Sequence, residues 1–363
     1  MKVIIVGAGP IGCYLAQLLK KKNIFDVKVI EEHSELGRPV HCAGLVSRNV
    51  FQDAKVHLNQ KVILNTIDGA EIFFNKESFK IRKKTIAFVI NRERFDQILG
   101  EGLDISFNSR FIGLERDRNK ILIETDKGEY LADILIGADG ANSMVRKLAC
   151  FDEDIEYLKG VQFRIKYKMN KNFVQVYLKK PFFAWIIPES KEVSRIGIIS
   201  YNPYQDLLDF LKEKEIDGTI LEKFAGIVPL GTCQTQKDNI FLVGDAACQV
   251  KPLTQGGIYY GMRCAEILAD CIIKKRSSEY EARWHRRFAR EIQIGLKIRK
   301  AYLKLNDEDL ERIFYLLKRN RFILEKFGDF ENHSRVFSIL AKFLKKNNLL
   351  GRMLLNIIKS TYI

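Results

Sequence analysis

The sequence predicts an α/β fold: a Rossmann-type dinucleotide-binding domain, an antiparallel β-sheet substrate domain inserted into it, and a C-terminal helical region. Three observations carry this. A glycine-rich turn, GAGPIG, stands between an apolar run and a helical stretch near the N-terminus. Residues 155–235 alternate apolar and polar with period two, as strands with two different faces do. From residue 276 onward the pattern turns helical and strongly basic. A length of 363 residues suits two domains or one composite one, and 47% hydrophobic residues suffice for a sizeable core.

In chain order, KVIIV (2–6) predicts a buried strand, GAGPIG a tight turn, and CYLAQLLKKK a helix. DVKVIEE (26–32) predicts a second strand ending in acid, which completes a βαβ unit. Residues 60–90 predict short strands with turns at DG and NKES. NRERFDQILGE (91–101) predicts a helix, and DISFN a strand. A hairpin follows through RDRNK and TDKGE, and LADILIGADG (131–140) a buried strand running into a turn. Between 155 and 235, VQFRIKYK, FVQVYLKK, FFAWIIP and SRIGIIS predict an antiparallel sheet interrupted by the helix YQDLLDFLKEKEI. Parallel-sheet character returns at NIFLVGDAAC, followed by a loop and a long helix. The nucleotide domain is therefore expected over 1–154 and 236–275, with a small β insert at 55–90. The substrate domain is expected over 155–235 and the basic helical region over 276–363.

The glycine turn has a specific chemistry. Gly7 permits the tight turn, Gly9 lets backbone approach a pyrophosphate, and Gly12 allows close helix–strand packing. The helix N-terminus stabilises phosphate charge. Glu31, nineteen residues beyond Gly12, stands where an acid takes ribose hydroxyls and disfavours a 2′-phosphate. Strand, turn, helix, strand and acid in order make this more than a lone motif match. Two later stretches join it. GADGANSMVRK (137–147) ends a strand at Asp139 and Gly140. LVGDAACQVKPLTQGGIYYG (242–261) ends another at Asp245, with Pro252, Gly256, Gly257 and Ile258 leading into a helix. Free N–H groups at that helix start would stabilise an anionic ring system.

With GxGxxG, DG and GD motifs in this order, the chain resembles the flavoprotein hydroxylase superfamily of the p-hydroxybenzoate hydroxylase fold. The resemblance implies FAD as cofactor, with Asp245 on the ribityl chain and Arg92 at the pyrophosphate. Within that superfamily, GRPVHCAGLVS, QVKPLTQGGIYYG and FFAWIIP are similar to stretches of archaeal geranylgeranyl reductases. The chain departs from that pattern at Phe183, Ile187 and Gln255. The resemblance implies saturation of isoprenoid double bonds in ether lipids, by hydride from reduced flavin and a proton from the protein. Cys42 is the candidate for tuning or protonation; burial as a small apolar filler is the alternative. Ala43, Leu45 and Phe111 are expected at the cofactor, and Trp185 and Tyr259 along the substrate channel. A monooxygenase or halogenase of the same fold, or a flavin-binding redox sensor, are the competing readings; the halogenase WxWxIP pattern is half met, with Phe183 in its first tryptophan position.

Bulk features set the partners. One nucleotide fingerprint is present, so electrons are expected from transiently bound NAD(P)H or from a protein such as ferredoxin. The net charge of +15 suits a lysine-rich solvated surface, an acidic electron carrier or a lipid surface; no nucleic-acid motif accompanies it. Seven cysteines without CxxC, and an opening directly into a strand, lead to an expected cytoplasmic protein with reduced thiols. Five histidines show no metal-ligand spacing, so no metal is expected. Nothing approaches the length of a membrane-spanning helix. In the tail, Val336, Leu340, Phe343 and Leu344 recur at helical spacing among Lys342, Lys345, Lys346 and Arg352. Peripheral contact with the inner membrane face, or packing on the body of the protein, accounts for that stripe.

Overall fold

The computed structural model describes residues 1–117 and 119–344, with side chains as far as residue 339. The chain opens with β1 (Lys2–Val6), α1 (Pro10–Lys20) and β2 (Asp26–Ile30). Val3, Ile4 and Ile5 are wholly buried because helices cover one face of the strand and a small sheet the other. Pro10 sits in the first turn of α1, where its missing N–H removes no bond.

β3 (Leu45–Ser47) and α2 (Asn49–Gln52) lead to a long hairpin, β4 (Ile63–Phe74) and β5 (Glu77–Ile90). α3 (Arg92–Gly100) is capped by the Asn91 side chain, which accepts from the Arg94 N–H. β6 is reduced to Ile105–Ser106, shorter than the DISFN strand expected. β7 (Phe111–Asp117), β8 (Lys120–Thr125) and β9 (Gly128–Ala132) form the expected meander, and β10 (Ile134–Gly137) the buried strand after it. α4 (Met144–Leu148) precedes β11 (Glu153–Lys166), β12 (Val174–Leu178), β13 (Phe183–Pro188), β14 (Val193–Ser200), α5 (Pro203–Glu213) and β15 (Ile220–Cys233). β16 (Gln236–Lys237), β17 (Ile240–Leu242) and α6 (Ile258–Ile273) return to the first layer. α7 (Tyr280–Trp284), α8 (Arg290–Lys304), α9 (Asp307–Arg319), α10 (Arg321–Phe327) and α11 (His333–Leu344) make the basic helical region.

Two large sheets result. The first, in order β16-β17-β10-β1-β2-β6, is parallel except for β16. The second has eight strands in order β15-β11-β14-β13-β12-β4-β5-β3. It differs from expectation in two ways. The 60–90 segment is two strands of 12 and 14 residues rather than several short ones. It also belongs to this sheet, through a parallel pairing of β4 with β12 that makes the sheet mixed. The DG at Asp68–Gly69 is a bulge, not a turn; the ladder shifts register there. Gly69 is required because a Cβ would lie 2.0 Å from the Ile81 carbonyl oxygen. Asp68 staples the bulge by accepting from the Thr85 N–H (2.8 Å) and Asn172 Nδ2 (2.8 Å).

Among the described residues no helix is long and apolar enough to cross a membrane. Val336 is buried against Ile323, on the protein's own body. The side chains of Leu340, Phe343 and Leu344, and all of Lys342, Lys345, Lys346 and Arg352 that the tail stripe needs, lie outside the described side chains.

Candidate active site

The two sheets and helices α8 to α11 enclose a cavity of about 1840 Å³. Single-ligand pockets run to roughly 1000 Å³, so there is room for two ligands side by side. One end is walled by the glycine turn and the strand ends of the first sheet. The other runs between the second sheet and the C-terminal helices, past Ile72, Val176, Leu178, Ile313, Leu317 and Phe337.

At the first end the three glycines do three different things. Gly7 has φ +100, and a Cβ there would lie 2.5 Å from the Ala138 carbonyl oxygen. A Cβ on Gly12 would lie 2.0 Å from the Gly7 oxygen, so Gly12 serves α1–turn packing and does not line the cavity. Gly9 meets nothing within 4 Å and faces open space. It is the N-cap of α1, with no side chain bonded to the first-turn N–H groups, which suits an anionic ligand. Glu31 folds back over this turn: Oε2 accepts from the Ala8 N–H (2.7 Å) and Oε1 from the His33 N–H (3.0 Å).

Asp245, Arg92 and Cys42 form the middle of the wall. Asp245 lies beneath Gly257, where a Cβ would be 2.5 Å from Oδ1. Burial pushes its carboxyl up to about 6, against the opposing charge of Arg92. Arg92 is held by Asp96, with Nη2 donating to Oδ2 at 3.0 Å, and Cys42 lines the cavity wall with it. Cys42 Sγ accepts from the Gly44 N–H at 3.3 Å. Ala43, Leu45, Phe111, Pro252, Gly256, Gly257 and Ile258 line the same cavity. Gly257 caps α6 with no side-chain bond, so this second helix also opens with free N–H groups. Asp139 lines the wall too, but its carboxylate caps α4: it accepts from Ser143 Oγ (2.6 Å), the Met144 N–H (2.7 Å) and the Val145 N–H (3.0 Å).

The two channel residues part company. Trp185 lines the cavity, its Nε1 donating to Gln162 Oε1 at 2.9 Å and its ring lying over Gly197. Tyr259 does not line it, which corrects the expectation. One residue past Ile258 on the helix, its ring turns roughly 100° away and its hydroxyl donates to Asp53 Oδ2 at 2.7 Å.

Sequence reasoning missed two features. Arg195 in β14 donates to the Ala43 carbonyl (2.8 Å) and the Ile90 carbonyl (3.1 Å), pinning the Cys42 segment to the second sheet. Glu189 fixes Arg195; burial pushes that carboxyl up, but hydrogen bonds from Arg164 and Arg195 outweigh it and hold it below the usual range. An arginine as the one charged residue of a buried strand, VSRIGIIS, is the available signal. The second is Lys251, buried in the cavity wall and paired with buried Glu331 at 2.8 Å. His333 beside it is driven down to about 3 by burial and by Lys251, so it is neutral. No spacing links residues this far apart. Among the described residues no group of three His, Cys, Asp or Glu side chains is placed to hold a metal ion, and all seven cysteines are free.

The model of the FAD binding domain matches residues 1–207. An uncharacterized protein of Methanocaldococcus jannaschii is 33% identical, covering 94% of each chain. The digeranylgeranylglycerophospholipid reductase 1 of Methanococcoides burtonii is 28% identical over 87% of each. Among solved structures, a geranylgeranyl bacteriochlorophyll reductase-like protein from Thermoplasma acidophilum superposes with a TM-score of 0.81 at 20% identity, covering 95% of this chain and 98% of that one.

Proposed function

The chain belongs to the FAD binding domain family, and from that premise we propose that it reduces the carbon–carbon double bonds of geranylgeranyl ether lipids. It is an FAD-dependent oxidoreductase of the p-hydroxybenzoate hydroxylase fold. The residues suit the cofactor: Gly9 leaves open space where a Cβ would intrude, and two helices present uncapped N-termini to one cavity. Gly7, Gly9 and Glu31 would hold the adenosine and pyrophosphate half. Asp245, Gly256, Gly257 and Ile258 would hold the ring half, with Cys42, Ala43 and Leu45 beside it. When bound and reduced, FAD supplies a hydride.

The observation that carries the substrate is the apolar arm of the cavity. An isolated alkene offers no polar handle, so recognition rests on shape, dryness and length of contact. Ile72, Val176, Leu178, Ile313, Leu317 and Phe337 provide such a wall for a long chain. Trp185, fixed through Gln162 at 2.9 Å, gives that wall a rigid aromatic edge. The second carbon needs a proton. Cys42 is the proposed holder, oriented by the Gly44 N–H and carried on a segment that Arg195 fixes. The electron donor is proposed to be transiently bound NAD(P)H or a ferredoxin-like acidic protein docking on the basic helical region, with peripheral contact at a lipid surface.

The test is direct. The protein is reduced with dithionite under anaerobic conditions and given geranylgeranyl phospholipid. The expected result is return of the oxidised flavin absorbance, with product heavier by two hydrogens per bond. Return of absorbance on oxygen alone, with an oxygenated product, would replace this reading with a monooxygenase.

A further inference from the structure

The stretch QVKPLTQGG carries a lysine that the proposed reaction leaves without a task. Lys251 is buried in the cavity wall, its side chain 3% exposed and paired at 2.8 Å with Glu331, itself 2% exposed. Replacing such a buried pair by packed apolar residues is often neutral or stabilising, so stability alone is a poor account of it. The two ends of the pair are not equivalent. Lys251 lines the cavity, and Glu331 does not.

The cation lies against the turn that would hold the flavin ring. A Cβ on Gly256 would be 2.9 Å from Lys251 Cε and 3.2 Å from Nζ, and no Glu331 atom comes within 4 Å of that point. Backbone bonds tie the lysine to the same turn: the Gln255 N–H donates to the Lys251 carbonyl at 2.9 Å, and the Lys251 N–H to the Gly256 carbonyl at 3.2 Å. The charges are held firmly. Nζ also donates to the Phe330 carbonyl at 2.8 Å and lies 4.5 Å from the centre of the Phe330 ring. Tyr260 of α6 donates to the Glu331 carbonyl (2.8 Å), and the Glu331 N–H donates to Asp329 Oδ1 (2.7 Å). Asp329 lines the cavity too, but the same oxygen also accepts from the Asn332 N–H (2.9 Å), which turns the carboxylate back on its own loop. His333 is neutral. The pair thus presents its positive end to the cavity, fixed in place and shielded from water, where a charge acts most strongly.

We propose that the Lys251–Glu331 pair is a fixed dipole that raises the reduction potential of the bound flavin. Reduction adds negative charge to the pyrimidine side of the flavin ring, and a cation beside that ring favours the reduced form. Glu331 supplies the opposing charge from farther off, which holds Lys251 in place and damps its effect. The inference rests on the flavin ring lying at Gly256 and Gly257, and is independent of which alkene is reduced.

The test is the flavin potential of the full chain loaded with FAD, measured by anaerobic equilibration with a redox dye. Lys251→Met, Glu331→Gln and the double variant are compared with the parent. The double variant keeps both shapes and leaves neither charge buried alone, so it folds even where a single change does not. Lys251→Met and the double variant are expected to hold about tenfold less reduced flavin at a fixed potential, a fall of about 30 mV for two electrons. Glu331→Gln is expected to shift the potential upward, because the cation is then unopposed. Disturbed packing alone gives no reason for the two halves of one pair to act with opposite sign. A double variant within about twofold of the parent or above it, or Glu331→Gln at or below the parent, would overturn the proposal. A parent chain that takes up no FAD would overturn it together with the flavin assignment. Alkene turnover is measured apart, so a failure of the lipid reading does not touch this result.

Discussion

Asp245 has an acid–base signature that can be measured without substrate. Burial raises its carboxyl from 3.8 to about 6. An acid raised in the folded state stabilises the fold below its unfolded value, and that contribution is lost as pH rises through about 6. In flavin-free protein, Asp245→Asn should therefore gain melting temperature over the parent as pH climbs from 3.8 to past 6. Equal slopes for the two would show that the carboxyl is not desolvated. Tyr259 makes the opposite kind of prediction. Tyr259→Phe removes a hydrogen bond to Asp53 outside the cavity, so it should lower stability by about 1 kcal/mol and leave kcat and KM unchanged. At this scale the sequence was legible where a residue's type is dictated by backbone and charge, as at Gly7, Glu31, Asp245 and Gly257. It misled at Tyr259, because an aromatic beside a motif says nothing of which way a helix turns it. Lys251 and Glu331 meet only through the fold, so neither could be read from its neighbours.

The elements repeat this lesson with backbone in place of side chains. The βαβ start, the helix at 92–100, the meander and the return at 240 all follow from periodicity and caps. The 63–90 hairpin was misread because a bulge and a turn use the same dipeptide; what separates them is the ladder across the partner strand. The glycine turn offers a paired test. Gly9→Ala should fold normally, within about 0.5 kcal/mol of the parent, and lose FAD affinity, since its Cβ points into open cavity. Gly12→Ala should destabilise the protein by ~1–3 kcal/mol or more, since its Cβ meets backbone 2.0 Å away. Calorimetry with and without FAD separates them; similar losses of stability in both would contradict the assigned roles.

For the molecule as a whole, the cavity spans every layer, and its apolar arm depends on helices that composition alone marked only as basic. Ile313→Trp narrows that arm far from the glycine turn. Flavin content should be unchanged, turnover of a full geranylgeranyl lipid should fall about tenfold or more, and a short prenyl substrate should be spared. Equal loss on both would place the alkene elsewhere.

The order of strands in the first sheet also governs how the chain comes into being. β10 is flanked on one side by β1 and on the other by β17, with Leu135 pairing Ile240. During synthesis, N-terminal segments leave the ribosome first. An open β edge is prone to pairing with strangers, and here it stays bare until the whole eight-stranded sheet has been made. A nascent chain arrested ahead of Ile240 should thus be a chaperone client that retains no yellow colour, and cofactor capture is among the last events of its biogenesis.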